Sequence, residues 1–135
     1  MRLDGWEGRL AALLEDARER PYELGDHDCF RLACRVAHAL TGVDHWPAFC
    51  GYRTEREALK AIAIYGSSFL AAGDRFFGSE HVASERARRG DIMAYRDARG
   101  QHHLGICAGR NVAVLGAAGL QWIAPAECVC CWRVG

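Results

Sequence analysis

The chain has 135 residues, and its 17 lysine and arginine residues balance its 17 aspartate and glutamate residues, so no surplus of charge is available to bind a phosphate backbone. Half of the residues are hydrophobic and a quarter are charged, which is typical of a folded protein rather than a disordered one. We therefore expect one domain over residues 1–135 and no nucleic-acid partner.

Residues 1–10 carry scattered charges and no continuous apolar run, which predicts neither a secretory signal nor a membrane anchor. We expect synthesis in the cytoplasm without a signal peptide and without membrane insertion. Seven cysteines are an odd number, and in the absence of a secretion signal they do not indicate a disulfide framework. Most of them are expected to be small buried side chains.

Two amphipathic helices are predicted before residue 42. A capping box over Asp4–Glu7 precedes apolar residues at helical spacing, and it predicts a first helix that ends before Pro21. An apolar stripe over residues 32–40 predicts a second helix that Gly42 terminates. Cys29 therefore falls in the first turn of the second helix, directly after a polar loop.

A third helix is predicted to follow a packed loop. Thr54–Glu57 forms a capping box that opens this helix, and Gly66 ends it after about Tyr65. Residues 67–72 predict at most one or two further helical turns, and residues 73–88 are expected to be coil.

The second half of the chain contains short runs of β-branched and aromatic residues that are separated by glycines. The predicted strands are residues 92–95, 102–108, 111–115, 120–123 and 129–134. Because helices come first and strands second, without alternation, the predicted fold class is α+β, with N-terminal helices packed on a small C-terminal antiparallel sheet.

Three cysteines near the C-terminus, in the run Cys128-Val129-Cys130-Cys131, lack the paired spacing of a zinc site, so no metal is predicted. Alternation along a strand places Cys128 and Cys130 on one face and Cys131 on the other. All three are then expected to be core side chains.

Cys29 is the candidate nucleophile. The first amides of a helix have no internal partners and carry partial positive charge, so they favour a thiolate and are predicted to lower the pKa of Cys29 below its ordinary value of about 8.5. The same amides can hold the oxyanion of a tetrahedral intermediate. The alternative is that Cys29 only packs the interface of the second helix.

His103 is the candidate general base, because it begins a predicted strand and therefore lies at the rim of the sheet, where it can face a helix start. His102 competes with it, since neighbouring residues of a strand point to opposite faces and only one of the two can point at Cys29. His27 is expected to point along its loop.

The residues in these positions resemble a family. Tyr22-x-x-Gly25, Asp28-Cys29 at a helix start, Arg89-Gly90-Asp91-Ile92, and His103-Leu104-Gly105-Ile106 with a glycine turn at Gly109 are similar to the NlpC-type cell-wall cysteine peptidases. That group is a circularly permuted form of the papain-like fold, and the likeness is to its compact phage-tail and gene-transfer-agent branch.

The resemblance implies that Cys29 is the nucleophile and His103 the general base, and that Tyr22, Asp28 and Phe30 form the oxyanion and substrate-binding side of the site. It implies cleavage of an amide bond in the peptide stem of peptidoglycan through a thioester acyl-enzyme, without a metal or organic cofactor. It also implies phage-tail or hub proteins as partners and delivery to the host cell envelope as part of a virion.

Two positions depart from the family pattern. Phe30-Arg31 stand where the family usually has Ser-Gly, which changes the expected substrate preference. The polar residue that orients the histidine is expected on the strand after Gly109, where the run 111–115 is mostly apolar, so Asn111 and then Gln121 are the candidates. A second hypothesis follows from these departures: a catalytically inactive tail-tip or hub protein that retains the fold.

Overall fold

The computed structural model describes all 135 residues as four helices followed by five strands. The helices are α1 (Trp6–Ala17), α2 (Cys29–Thr41), α3 (Glu55–Tyr65) and α4 (Phe69–Phe77). The strands are β1 (Ile92–Arg96), β2 (His102–Cys107), β3 (Val112–Gly116), β4 (Gly119–Ile123) and β5 (Cys128–Trp132). The strands form one antiparallel sheet, so the predicted α+β class is confirmed. None of the helices combines the length and the apolar character needed to cross a membrane.

Gly42 ends α2 and Thr54 caps α3 as the sequence predicts, and the structure adds Asp28 as the N-cap of α2. The Asp28 side chain accepts the N–H of Arg31 at the start of α2, and Gly42 closes that helix with a left-handed φ of 82°. The Thr54 side chain accepts the N–H of Glu57 at the start of α3. Each cap satisfies an amide that the helix itself leaves unpaired, which fixes where the helix begins.

Two predictions about the helices are wrong. The capping residue of α1 is Gly5, which has a φ of 77° and no side-chain cap, so Asp4 lies one position too early. α4 continues to Phe77, although residues 73–88 are predicted as coil. Gly73 weakens the helical signal, yet a Cβ at this position would lie 2.2 Å from the Trp132 ring. Glycine is therefore needed here so that α4 can pack closely on β5.

The sheet has the order β4-β3-β2-β1-β5, and the helices cover one of its faces. That face and α1 and α2 share the main apolar cluster, which includes Leu32, Val36, Leu40, Ile92, Ile106 and Trp132. The opposite face carries a smaller cluster of Met93, Cys107, Val112, Val114 and Cys131. Cys29 belongs to the main cluster, at its edge next to β2.

A bulge in β5 overturns the predicted arrangement of the terminal cysteines. Ala94 of β1 lies opposite Cys130, but Tyr95 lies opposite Cys128, so Val129 is left without a partner. Cys130 therefore packs in the main cluster, whereas Cys128 packs beside the smaller one. No group of three or more histidine, cysteine or carboxylate side chains is arranged to hold a metal ion.

Candidate active site

The loop between α1 and α2 positions Cys29 through Asp28, whose carboxylate is only 1% exposed. One carboxylate oxygen accepts the N–H of Arg31, and the other accepts the N–H of Gly25, each at 2.8 Å. The second oxygen also accepts the hydroxyl of Tyr52. Gly25 has a φ of 86°, and a Cβ on it would lie 2.5 Å from the carbonyl oxygen of Tyr52. Three hydrogen bonds to Asp28 therefore hold the backbone before Cys29 in place.

These contacts change the interpretation of Asp28. The resemblance groups it with the substrate-binding residues, but both of its oxygens are occupied by groups of the protein itself. Asp28 thus supports the loop and caps α2. The hydrogen bond from Tyr52 was not predicted, because nothing in the sequence indicates that a residue in the loop before α3 reaches this carboxylate.

Cys29 is 8% exposed in this conformation. Burial raises the pKa of Cys29 to about 12, although hydrogen bonding from the backbone amides of Leu104, Cys29 and Phe30 acts to lower it. The predicted lowering of this pKa is therefore wrong for the unliganded protein, because burial outweighs the helix start. The thiol is protonated at neutral pH until a base accepts its proton.

His103 is oriented by a residue that the sequence prediction missed. The Nε2 atom of His103 lies 2.8 Å from Oδ2 of Asp97, in the turn between β1 and β2. The other oxygen of Asp97 accepts the N–H groups of Arg99 and Gln101 at 2.8 and 3.0 Å. The hydrogen bond to His103 is the main cause that lowers the pKa of Asp97, so the carboxylate is ionised and Nε2 donates. In the neutral ring this leaves Nδ1 unprotonated and without a partner in the protein.

Asn111 and Gln121 do not take this role. Asn111 is exposed in the turn before β3, where its carbonyl accepts the N–H of Ala108, at the opposite end of β2 from His103. Gln121 lies on β4 opposite Val114, and no hydrogen bond joins it to His103. Asp97 was missed because an aspartate at the first position of a hairpin turn is common for structural reasons alone.

A groove of about 370 Å³ brings the predicted residues together. Tyr22, Cys29, Phe30 and His103 line it, and the α3 residues Ala58, Leu59, Ile62 and Ala63 form much of its other wall. Tyr22 is 45% exposed, and burial of the rest of the ring, with the nearby charge of Asp28, raises the pKa of Tyr22 to about 12. The hydroxyl is therefore a neutral donor at the edge of the groove.

The Cys29 thiol lies next to the strand that carries His103. The amide that hydrogen-bonds the Cys29 sulfur is that of Leu104, which directly follows His103. No hydrogen bond joins the sulfur to the ring in this conformation. Such bonds are often long in unliganded enzymes and shorten when substrate binds.

The other two histidine candidates have different surroundings. His102 also lines the groove, on the same sheet face as Leu104. It stacks on Phe69 with ring centroids 4.9 Å apart and an interplanar angle of 8°, and its buried Nε2 has no partner. Burial lowers the pKa of His102, and Arg96 and His103 lower it further. His27 is 1% exposed, pairs through Nδ1 with Arg35 at 3.2 Å, and does not line the groove. Only His103 lines the groove and also contacts a carboxylate.

Phe30 forms an apolar floor beside Cys29. Its ring packs against Phe49 at 5.2 Å and Phe69 at 6.2 Å between centroids, and it separates the groove from a small cavity of about 40 Å³. This aromatic floor offers no hydrogen bond where a serine would offer one. It therefore favours an apolar part of a ligand next to the thiol.

The model of one protein family matches residues 1–134; its description is a domain of unknown function, DUF6950. No curated protein matches this chain.

Proposed function

Since the chain belongs to the DUF6950 family, a domain of unknown function, we propose its activity from the groove itself: a cysteine hydrolase that cleaves amide bonds in the peptide stems of peptidoglycan. The observation that carries the proposal is that Cys29 and His103 line one groove while Asp97 holds Nε2 of His103. We propose with it that the fold is the circularly permuted papain-like arrangement of the NlpC-type peptidases.

The first half of the reaction uses the free nitrogen of His103. As the Cys29 sulfur attacks the substrate carbonyl carbon, Nδ1 accepts the thiol proton, and Asp97 stabilises the imidazolium that forms. The amides at the start of α2 donate to the oxyanion of the tetrahedral intermediate. The C–N bond then breaks, His103 returns the proton to the leaving amine, and a thioester remains on Cys29.

The second half regenerates the enzyme. His103 removes a proton from a water molecule that attacks the thioester carbonyl, and the second tetrahedral intermediate releases a carboxylic acid and the Cys29 thiol. Because the thiol of the unliganded protein has a pKa of about 12, proton transfer accompanies the attack and does not precede it. Every step uses groups of the protein and one water.

The lining of the groove fits the small apolar side chains of such a peptide but offers no cation for its carboxylates. No lysine or arginine lines it, its α3 wall is apolar, and Glu55 is its exposed acidic residue. Such a groove favours a neutral or cationic peptide with small apolar side chains and disfavours an anionic one. We place the protein in a phage or gene-transfer-agent tail, with tail or hub proteins as partners, on the resemblance alone.

A second candidate function is favoured by the burial of Cys29. Because Cys29 is only 8% exposed, its sulfur reaches a substrate only if the groove walls move, and an inactive tail-tip or hub protein would need no such movement. On this alternative the chain retains the fold for assembly, and Cys29 is a core residue of α2.

The two candidates are separated by incubating the purified protein with muropeptides and identifying the products by mass spectrometry. If the protein is a hydrolase, each cleavage yields a new amine and a new carboxylate, and neither product forms with Cys29→Ser. Cys50→Ser is the matched control, because Cys50 is exposed and lies outside the groove. If folded native protein leaves every muropeptide intact and Cys29→Ser particles infect normally, the inactive alternative holds.

A further inference from the structure

Tyr95 lies directly opposite His103 in the ladder between β1 and β2. The ring centroids of the two residues are 5.5 Å apart and the rings are tilted by 30°. Side chains that are directly opposed in an antiparallel pair share a face of the sheet and contact each other along their length. The phenol ring of Tyr95 therefore covers one side of the imidazole.

Tyr95 is itself held on the face opposite the helices. Its ring packs against the smaller apolar cluster, beside Cys128, which the bulge at Val129 brings opposite Tyr95. Bulges bend a strand locally and often lie beside active sites, where they change the direction of a side chain. Packing against this cluster thus holds the Tyr95 ring in place.

The hydroxyl of Tyr95 makes no hydrogen bond within the protein, and Tyr95 does not line the groove. Burial raises the pKa of Tyr95, and the nearby carboxylate of Asp97 raises it further, so the hydroxyl stays neutral. The contact with His103 is therefore made by an uncharged ring, and the hydroxyl has no structural partner whose loss would complicate a substitution.

The imidazole of His103 needs more than one contact to be held in one orientation. Its side chain is 32% exposed and has one hydrogen bond, from Nε2 to Asp97, so the ring can still tilt about that bond. Tilting would change the direction of Nδ1 relative to the groove. A rigid ring on one face of the imidazole opposes that motion.

We propose that Tyr95 is a positioning residue, whose ring holds His103 with Nε2 on Asp97 and Nδ1 towards the groove. This inference rests on the proposed function, because the orientation matters to the reaction only if His103 is its base. Tyr95 acts through His103 and does not itself line the groove.

The test compares Tyr95→Phe, which keeps the ring, with Tyr95→Leu, which keeps apolar bulk but removes the ring. For muropeptide hydrolysis we expect an unchanged kcat in Tyr95→Phe and a fall of about tenfold or more in Tyr95→Leu, with KM unchanged in both. Tyr95→Met provides a second ring-free variant if Tyr95→Leu does not fold. A full rate in a folded ring-free variant would overturn the proposal.

A second readout does not depend on turnover. The ¹⁵N shifts of the His103 ring report which nitrogen carries the proton, and a structural role of Tyr95 alone would not change them. We expect one tautomer, protonated at Nε2, in the native protein and in Tyr95→Phe, and a mixture in the ring-free variants. If native protein does not hydrolyse muropeptides but shows this pattern, the proposed function fails and the role of the ring in holding His103 stands. One tautomer in every variant overturns the role of Tyr95.

Discussion

Oδ2 of Asp97 and Nε2 of His103 lie 2.8 Å apart, across the hairpin turn that joins β1 to β2. The local turn fixes this pair, because the other Asp97 oxygen accepts two backbone N–H groups of the same turn. The orienting partner of the histidine thus comes from the residues just before its strand, and not from the strand after it.

Asp97→Asn is expected to lower kcat for muropeptide cleavage by about two to four powers of ten, because an amide no longer fixes the His103 tautomer that leaves Nδ1 free to accept a proton. Asparagine retains an oxygen for the turn amides, so the hairpin should remain folded. The measurement is steady-state hydrolysis, with Asn111→Ala as the control. Equal losses in the two variants, or no loss in either, would contradict the role of Asp97.

The two neighbouring histidines are expected to respond differently to substitution. His103→Gln should abolish hydrolysis, since it removes the base, whereas His102→Gln should retain activity within about tenfold, since His102 packs on Phe69 and has no carboxylate partner. Product formation should be measured for both variants after circular dichroism has verified that they fold. Loss of activity in His102→Gln but not in His103→Gln would identify His102, and not His103, as the base.

Tyr52→Phe is expected to lower the free energy of unfolding by about 1–3 kcal/mol, because it removes a hydroxyl that donates to the buried Asp28 carboxylate. Tyr65→Phe is the matched control, since its hydroxyl donates to the exposed carbonyl of Ala48 at 3.1 Å and should contribute less. Urea denaturation of both variants measures the difference. A Tyr52→Phe protein as stable as native would show that Asp28 does not depend on this hydroxyl.

Stability is expected to fall as the pH drops below about 6.5, partly because of His27. Burial lowers the pKa of His27 in the folded protein, and Arg20 and Arg35 lower it further. The unfolded chain therefore binds a proton at a higher pH than the folded chain does. Neutral His27 makes its full contribution to the free energy of unfolding above about pH 6.5. That contribution is lost as the pH falls from about 6.5 to the lower pKa of His27 in the folded protein.

Thermal melting of native protein and His27→Gln between pH 5 and pH 8 checks this prediction. The slope of Tm against pH should be smaller in His27→Gln, and some slope should remain because burial also lowers the pKa values of His45 and His102. Identical slopes in the two proteins would exclude His27 as a source of the pH dependence.

Much of the fold follows from local sequence signals. Thr54 and Gly42 mark helix ends because a cap acts within one turn of the chain, and the glycine-separated apolar runs mark the strands. Cys29 at a helix start and His103 at a strand start follow from the same signals. Their meeting in one groove, however, was an expectation drawn from the resemblance.

Properties that depend on contacts between distant residues were not predictable. The sequence does not predict the end of α4, because Gly73 lowers helix propensity. Glycine is required at this position by the Trp132 ring of β5, which is distant in the sequence. The pKa of Cys29 was predicted in the wrong direction because burial under the core is invisible in the residues around it. The sequence does not predict the contact of Asp97 with His103, because an aspartate at this position is already explained by its role in the turn.

Mass spectrometry of the protein during turnover of a muropeptide tests most directly whether Cys29 is the nucleophile. The proposed mechanism predicts an acyl adduct, linked as a thioester, on the peptide that contains Cys29, and its absence in His103→Gln. The adduct should disappear on incubation with water and leave the free carboxylic acid. Folded native protein that forms no adduct on Cys29 and releases no product would contradict the assignment of Cys29 as the nucleophile.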